Sequence, residues 1–172
     1  MNTKVDPRAA AAGATLLLLL SWPALAQTPR VDRVEIVDKG FYVAQRTGKT
    51  TDAPGSVLGR DNIVTKVRFL RRTPQDSARV GVSFGVRFRT IGHPQNARVG
   101  LRSVWKIPAP GIKNPKSGNV YRQSVVNFTT TMGTAHLRGY SFEQPWEVVP
   151  GVWTLQIWQG DRKLLERSFT IQ

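Results

Sequence analysis

The sequence predicts an all-β chain folded as an antiparallel sandwich of about seven to nine strands. Three observations carry this expectation. Apolar and polar side chains alternate with period two over most of the chain. Gly, Pro, Asn and Asp punctuate the alternating runs at roughly even spacing. No stretch shows the apolar stripe of an amphipathic helix. Strands with one apolar and one polar face suit two sheets packed face to face, so a sandwich is expected rather than a barrel.

VDRVEIVDKGFYVAQ reads as one bent strand with Gly40 at a bulge or kink. The polar, Gly-rich stretch from Arg46 to Asp61 reads as a loop, and NIVTKVRFLRRT resumes a strand with Ile63, Thr65, Val67 and Phe69 on one side. RVGVSFGVRFRTIG is the clearest strand. Val80, Val82, Phe84, Val86 and Phe88 point one way, and Gly81, Ser83, Gly85, Arg87 and Arg89 the other. GHPQN has the composition of a hairpin loop. ARVGLRSVWKIP then places Val99, Leu101, Trp105 and Ile107 inward, with Arg98, Arg102 and Lys106 on its other face.

The stretch IPAPGIKNPKSGNV is stiffened by its prolines and made basic by Lys113 and Lys116. It is expected to carry the chain across the end of the sandwich. NVYRQSVVNFTTTMG is rich in β-branched residues, and AHLRGYSFEQ follows as a short strand. After the Pro150-Gly151 turn, Trp153, Leu155 and Ile157 alternate with Thr154, Gln156 and Trp158. Gly160-Asp161 turns the chain, and RKLLERSFTIQ returns with Phe169 and Ile171 on one face. Leu164 and Leu165 fall on opposite faces, which marks a bulge. Trp153 is expected in the core, Trp158 half-exposed, and Trp146 as a plug after Pro145.

Residues 1–26 have the organisation of a secretory signal peptide. Lys4 and Arg8 precede an apolar run from Ala9 to Leu20, and Ala24-Leu25-Ala26 offers small residues for cleavage before Gln27. The run is shorter than the roughly 20 residues of a membrane anchor. Residues 27–172 are then a single β-sandwich domain, exported to the periplasm or the extracellular space with no transmembrane segment left. The chain has no Cys, so it cannot staple itself with disulfides and depends on its core. The net charge is +14, and removing the leader leaves 23 basic against 10 acidic residues. Such a field attracts polyanions. Outside the cytoplasm these are anionic glycans and lipid headgroups.

VEIVDKGFY, FGVRFRTIG, WKIPAPGIKNPKSG and GYSFEQPWEVVPGVWTLQIWQGDRKLLERSFTI together resemble the bacterial family catalogued as domain of unknown function 3859. The resemblance spans about Val31 to Ile171. Its most specific pieces are Pro108, Pro110-Gly111, Asn114-Pro115, Gly118 and the Gly151/Trp153 hairpin. It implies an immunoglobulin-like sandwich. It implies no activity and carries over no functional residues.

The residues offer little for catalysis. The two His, His93 and His136, are far apart in sequence, and a metal site needs three or four converging ligands. GVSFG, from Gly81 to Gly85, has the letters of GxSxG, but it lies within an alternating strand with no helix after it, so Ser83 reads as a sheet-face hydroxyl. The glycines of VGVSFG lack the Lys and helix of a phosphate loop. No cofactor and no metal are therefore expected. Glu143, Glu147, Asp161 and Glu166 are candidate carboxylates for a glycan hydrolase, but their spacing singles out no pair; Glu143 and Glu147 flank a Pro-Trp loop, where such residues are more often solvated or paired with Arg. The preferred reading is a non-enzymatic binding or adaptor module of the bacterial cell envelope. Its working surface is a basic face of Arg87, Arg89, Arg98, Arg102 and Lys106, joined by Trp158. The expected partners are an anionic glycan, lipid headgroups or an acidic envelope protein. Nucleic acid is disfavoured because rows of aromatic side chains for base stacking are missing.

Overall fold

The computed structural model describes residues 28–70 and 78–172. The signal peptide read over residues 1–26 lies outside the described residues. Ten strands run in chain order: β1 (Arg30–Asp52), β2 (Arg60–Phe69), β3 (Ser83–His93), β4 (Arg98–Lys106), β5 (Ile112–Lys113), β6 (Val120–Tyr121), β7 (Gln123–Thr131), β8 (Ala135–Ser141), β9 (Gly151–Gln159) and β10 (Arg162–Ile171). Eight of them form two antiparallel sheets, ordered β2-β1-β3-β8 and β10-β9-β4-β7. This is the expected immunoglobulin-like sandwich.

The core follows from the alternation. Phe84, Val86 and Phe88 of β3 face Leu101 and Trp105 of β4 and Trp153, Leu155 and Ile157 of β9, all buried. Phe84 is the centre. Its ring lies 5.3–6.2 Å from those of Phe41, Trp105, Tyr140, Phe142, Trp153 and Phe169. These tilted and edge-on contacts tie three strands of one sheet to three of the other. The β9–β10 hairpin forms as read, with its irregularity between Lys163 and Leu165. Trp146 packs half-buried against the core from a short 3-10 turn, Pro145–Glu147.

Several expectations are corrected. Arg46 to Asp61 is not a loop: β1 runs on to Asp52, β2 starts at Arg60, and the two pair as a ribbon. Both faces of the ribbon are largely polar, so no apolar row marks it as strand. In β2, Lys66 has φ +51° beside a register shift, and this bulge reverses the alternation. Val67 and Phe69 are half-buried, whereas Ile63 and Thr65 are exposed. Val80 is also exposed, and β3 begins only at Ser83. Gly40 adopts φ +127° but sits in register with Gly85, and the nearby bulge falls between Ile36 and Asp38. The Pro-rich stretch after β4 does not cross the sandwich end. It folds through the small β5–β6 pair and returns the chain as β7, beside β4 in the same sheet.

The ribbon continues past the start of β3 and curls over β8. The amide of Val125 in β7 donates to the carbonyl of Gly55 at the ribbon tip, at 2.8 Å. The tip residues Ala53, Ser56 and Val57 are buried there. Beneath the ribbon root, the ring of Tyr42 lies on Gly139, where any Cβ would collide with it.

The aromatic centre sets a first prediction. Phe84→Ala leaves a void that six rings cannot close, and should cost about 3–5 kcal/mol. Urea unfolding of residues 27–172 measures it. A midpoint within error of wild type would show that Phe84 is not the organising residue.

Candidate functional site

The sequence assigned Arg87, Arg89, Arg98, Arg102 and Lys106 to one basic face. The structure divides them. Arg87 and Arg89 lie on β3 and the other three on β4, and these strands belong to different sheets. The GHPQN link passes from sheet to sheet instead of closing a hairpin, because β3 pairs with β1 and β8 while β4 pairs with β7 and β9. The outward rows of the two strands therefore look to opposite sides of the sandwich. Arg87 has a structural task. Its Nη2 donates to the carbonyl of Val67 at 3.0 Å, and its guanidinium lies 5.4 Å from the Phe69 ring centre, holding β2.

The β4 cations and Trp158 do come together. Arg98, Arg102 and Lys106 are exposed along the outer face of β4. At four-residue steps they stand roughly 13 Å apart along a strand. Trp158 of β9 is the register partner of Arg102, whose guanidinium lies 5.8 Å from the Trp ring centre. The indole Nε1 donates to Gln156 Oε1 at 3.2 Å, and Gln156 donates to Glu166 at 2.6 Å. Lys163 pairs with Glu166 at 2.8 Å. These contacts with Lys163 and Gln156 hold the Glu166 carboxyl below its usual range. Trp158 is thus half-buried and held in place, as expected of it. Shallow depressions flank Arg102, one running between Lys106, Gln123 and Trp158.

Glu143 and Glu147 have unlike surroundings. Glu143 pairs with Arg60 at 3.1 Å and Arg46 at 3.5 Å, and accepts a hydrogen bond from Asn62. It anchors the ribbon, in keeping with the expected pairing to Arg. Glu147 is neither solvated nor paired with Arg: it is 1 % exposed. Its Oε2 accepts from the amides of Glu143 and Gln144, both at 2.8 Å, and its Oε1 from the Tyr140 hydroxyl at 3.1 Å. The bond from the Gln144 amide belongs to a capping box around the 3-10 turn. Burial raises the Glu147 pKa, and its hydrogen bonds oppose the rise.

A cavity missed by the sequence reading lies between the ribbon and β8. His136 and Arg138 line it from the core-facing row of β8. Arg138 is 7 % exposed and pairs with Asp61 of β2 at 2.6 Å. His136 stacks on Phe128, with ring centres 4.8 Å apart. Burial, and secondarily the charge of Arg138, lowers the His136 pKa from 6.5 to about 4, with Asp61 opposing. The signal in the sequence was HLRGY itself, a cation and an imidazole on the row that ends in Tyr140. The other imidazole, His93, ends β3, with Nε2 3.8 Å from Asp32. Ser83 is a sheet-face hydroxyl as read, 2.7 Å from the hydroxyl of Ser141.

Two predictions follow from the buried groups. Glu147→Ala strands two amides and a hydroxyl and should cost about 3 kcal/mol or more. Glu147→Gln keeps an acceptor for the amides and should cost clearly less, as urea midpoints would show. For His136, the unfolded chain binds more protons than the folded one between pH 6.5 and about 4. Its contribution to stability is full above pH 6.5 and is lost as the pH falls through about 4. Unfolding midpoints across this range should therefore fall more steeply in wild type than in His136→Asn. Parallel curves would show that His136 does not titrate as its burial requires.

No curated protein matches this chain. Among solved structures, an immunoglobulin-like protein from Pseudomonas aeruginosa is similar at 23% identity and a TM-score of 0.48, over 81% of this chain and 97% of that one. A β-D-glucoside glucohydrolase from Trichoderma reesei is similar at 12% identity and a TM-score of 0.32, over 78% of this chain and 19% of that one. Neither likeness is close enough to transfer a property. The family model for a domain of unknown function, DUF3859, matches residues 30–171, and the chain belongs to that family.

Proposed function

We propose that this protein is an exported, non-catalytic binding module of the bacterial cell envelope, and that the outer face of β4 and β9 engages an anionic glycan. The observation that carries the reading is the alignment of Arg98, Arg102 and Lys106 along one strand, with Trp158 fixed beside the central cation. None of the three cations has an ion-pair partner among the described residues. A linear row of charges suits an extended polymer better than a single headgroup. A half-exposed indole offers a flat apolar surface to a sugar ring. The signal-peptide organisation of residues 1–26 supplies the compartment in this reading.

Glu143 and Glu147 border the cavity, which keeps a glycan hydrolase as the second reading. Their bonding argues against it. Glu143 is held by two Arg, and both oxygens of Glu147 are occupied by donors. A general acid or base must be free to exchange a proton with substrate.

Binding of the mature chain to immobilised lipopolysaccharide and alginate at low salt tests the proposal. Arg102→Ala and Lys106→Ala should each weaken binding about tenfold, or about 1.4 kcal/mol. Trp158→Ala should act similarly, and Arg89→Ala on the opposite sheet should have little effect. Binding should fade as salt rises, because exposed charges are screened. Equal loss from Arg89→Ala and Arg102→Ala would reduce the effect to net charge. Binding only to anionic vesicles would replace the glycan with lipid. Release of reducing sugar, abolished by Glu143→Gln, would favour the hydrolase.

A further inference from the structure

The cavity under the ribbon has a volume of about 370 Å³ and is partly open at its rim. That falls at the lower end of the roughly 300–1,000 Å³ usual for small-molecule sites. Its wall is polar in an ordered way. Among the described residues, four buried side-chain polar atoms have no hydrogen-bond partner, and three belong to residues that line this cavity: Trp105 Nε1, His136 Nε2 and Arg138 Nε. Each unmatched buried donor or acceptor costs about 1–3 kcal/mol, and folded proteins leave few. Three around one cavity, from three residues held by the core, point to a ligand that supplies their partners.

The charges state what kind of ligand. Arg138 is neutralised by Asp61, and Arg60 by Glu143. Glu147 is saturated by its own three hydrogen bonds. The low pKa of His136 keeps its imidazole neutral above about pH 4. The wall therefore presents no free charge to select an ion. Just beneath it lie two N–H donors and an imidazole nitrogen of residues that line the cavity. We propose that this cavity is a binding site for a small, uncharged polyhydroxylated molecule of monosaccharide size, hydrogen-bonded by Trp105, His136 and Arg138. Hydroxyl groups both donate and accept, which suits a wall of mixed donors and acceptors. The three atoms are covered in this structure, so the ligand enters as the ribbon rises from β8. The contacts that must yield are the pairs of Asp61 with Arg138 and Glu143 with Arg60, the tip bond from Val125 to Gly55, and the burial of Val57.

The test is a titration of the ¹⁵N-labelled mature chain, read at the indole N–H resonance of Trp105. The probes are glycerol, myo-inositol, glucose and N-acetylglucosamine, each to roughly 50 mM, enough to saturate a millimolar site. Sodium acetate serves as the charged comparison. At least one polyol should shift the Trp105 resonance saturably. Arg138→Lys keeps the charge for Asp61 but lacks Nε, and should weaken that binding at least tenfold. His136→Phe should weaken it independently, which covers the case that Arg138→Lys perturbs the fold. Arg102→Ala should leave it unchanged, which separates this site from the glycan face. No saturable shift with any polyol would overturn the proposal and leave the cavity to water. Saturation by acetate alone would overturn the ligand class. Equal affinity in wild type, Arg138→Lys and His136→Phe would overturn the site.

Discussion

Phe84 is the residue on which the rest of the structure depends. A chain without Cys must fix its two sheets by packing alone, and six aromatic rings meet at this one side chain. Through them β1, β3 and β8 are registered against β4, β9 and β10. Tyr140 belongs to this cluster, and its hydroxyl reaches the buried Glu147. Glu147 in turn shapes the backbone at Glu143, the carboxylate that takes the ribbon cations Arg46 and Arg60. The apolar centre thus positions a polar edge.

That edge solves a general problem of sheets. β7 and β8 end their respective sheets on one side of the sandwich, and unpaired strand edges invite association. The β1–β2 ribbon folds over both. It is bound by ion pairs, by one backbone bond to β7 and by the buried tip residues Ala53 and Val57. These pairs are part-buried, with the Arg138 and Glu143 side chains only 8% and 7% exposed, so removing one partner strands a buried charge. The cavity lies under that cover.

Much of the fold was legible in the sequence because burial imposes its period. Val99, Leu101 and Trp105 are core residues as read, as are Trp153, Leu155 and Ile157, and the bulge at Leu164-Leu165 is present. The single basic face failed because period two reports the face of a residue and not the partner of its strand. Arg89 and Arg98 are nine residues apart and lie on opposite sides of the molecule, since the link between them changes sheet. The ribbon failed differently, because a strand with two polar faces has no apolar period to show. His136 and Arg138 were hidden by their own polarity, on a row whose burial became visible only once the ribbon was placed.

The distribution of charge bears on function more than its total does. The chain has few carboxylates, and several are already bound: Asp61 and Glu143 hold the ribbon, Glu147 caps the turn, and Glu166 is held by Lys163 and Gln156. Among the described residues the cations of β4 form no ion pair. Had the basic excess served solubility alone, nothing would require three cations in one row with an indole fixed beside the middle one. Gln156 and Glu166 keep Trp158 in place at the surface, at a position where the core gains nothing from its order. Order without a packing role is what a binding surface requires, since it removes part of the entropy lost when a ligand docks.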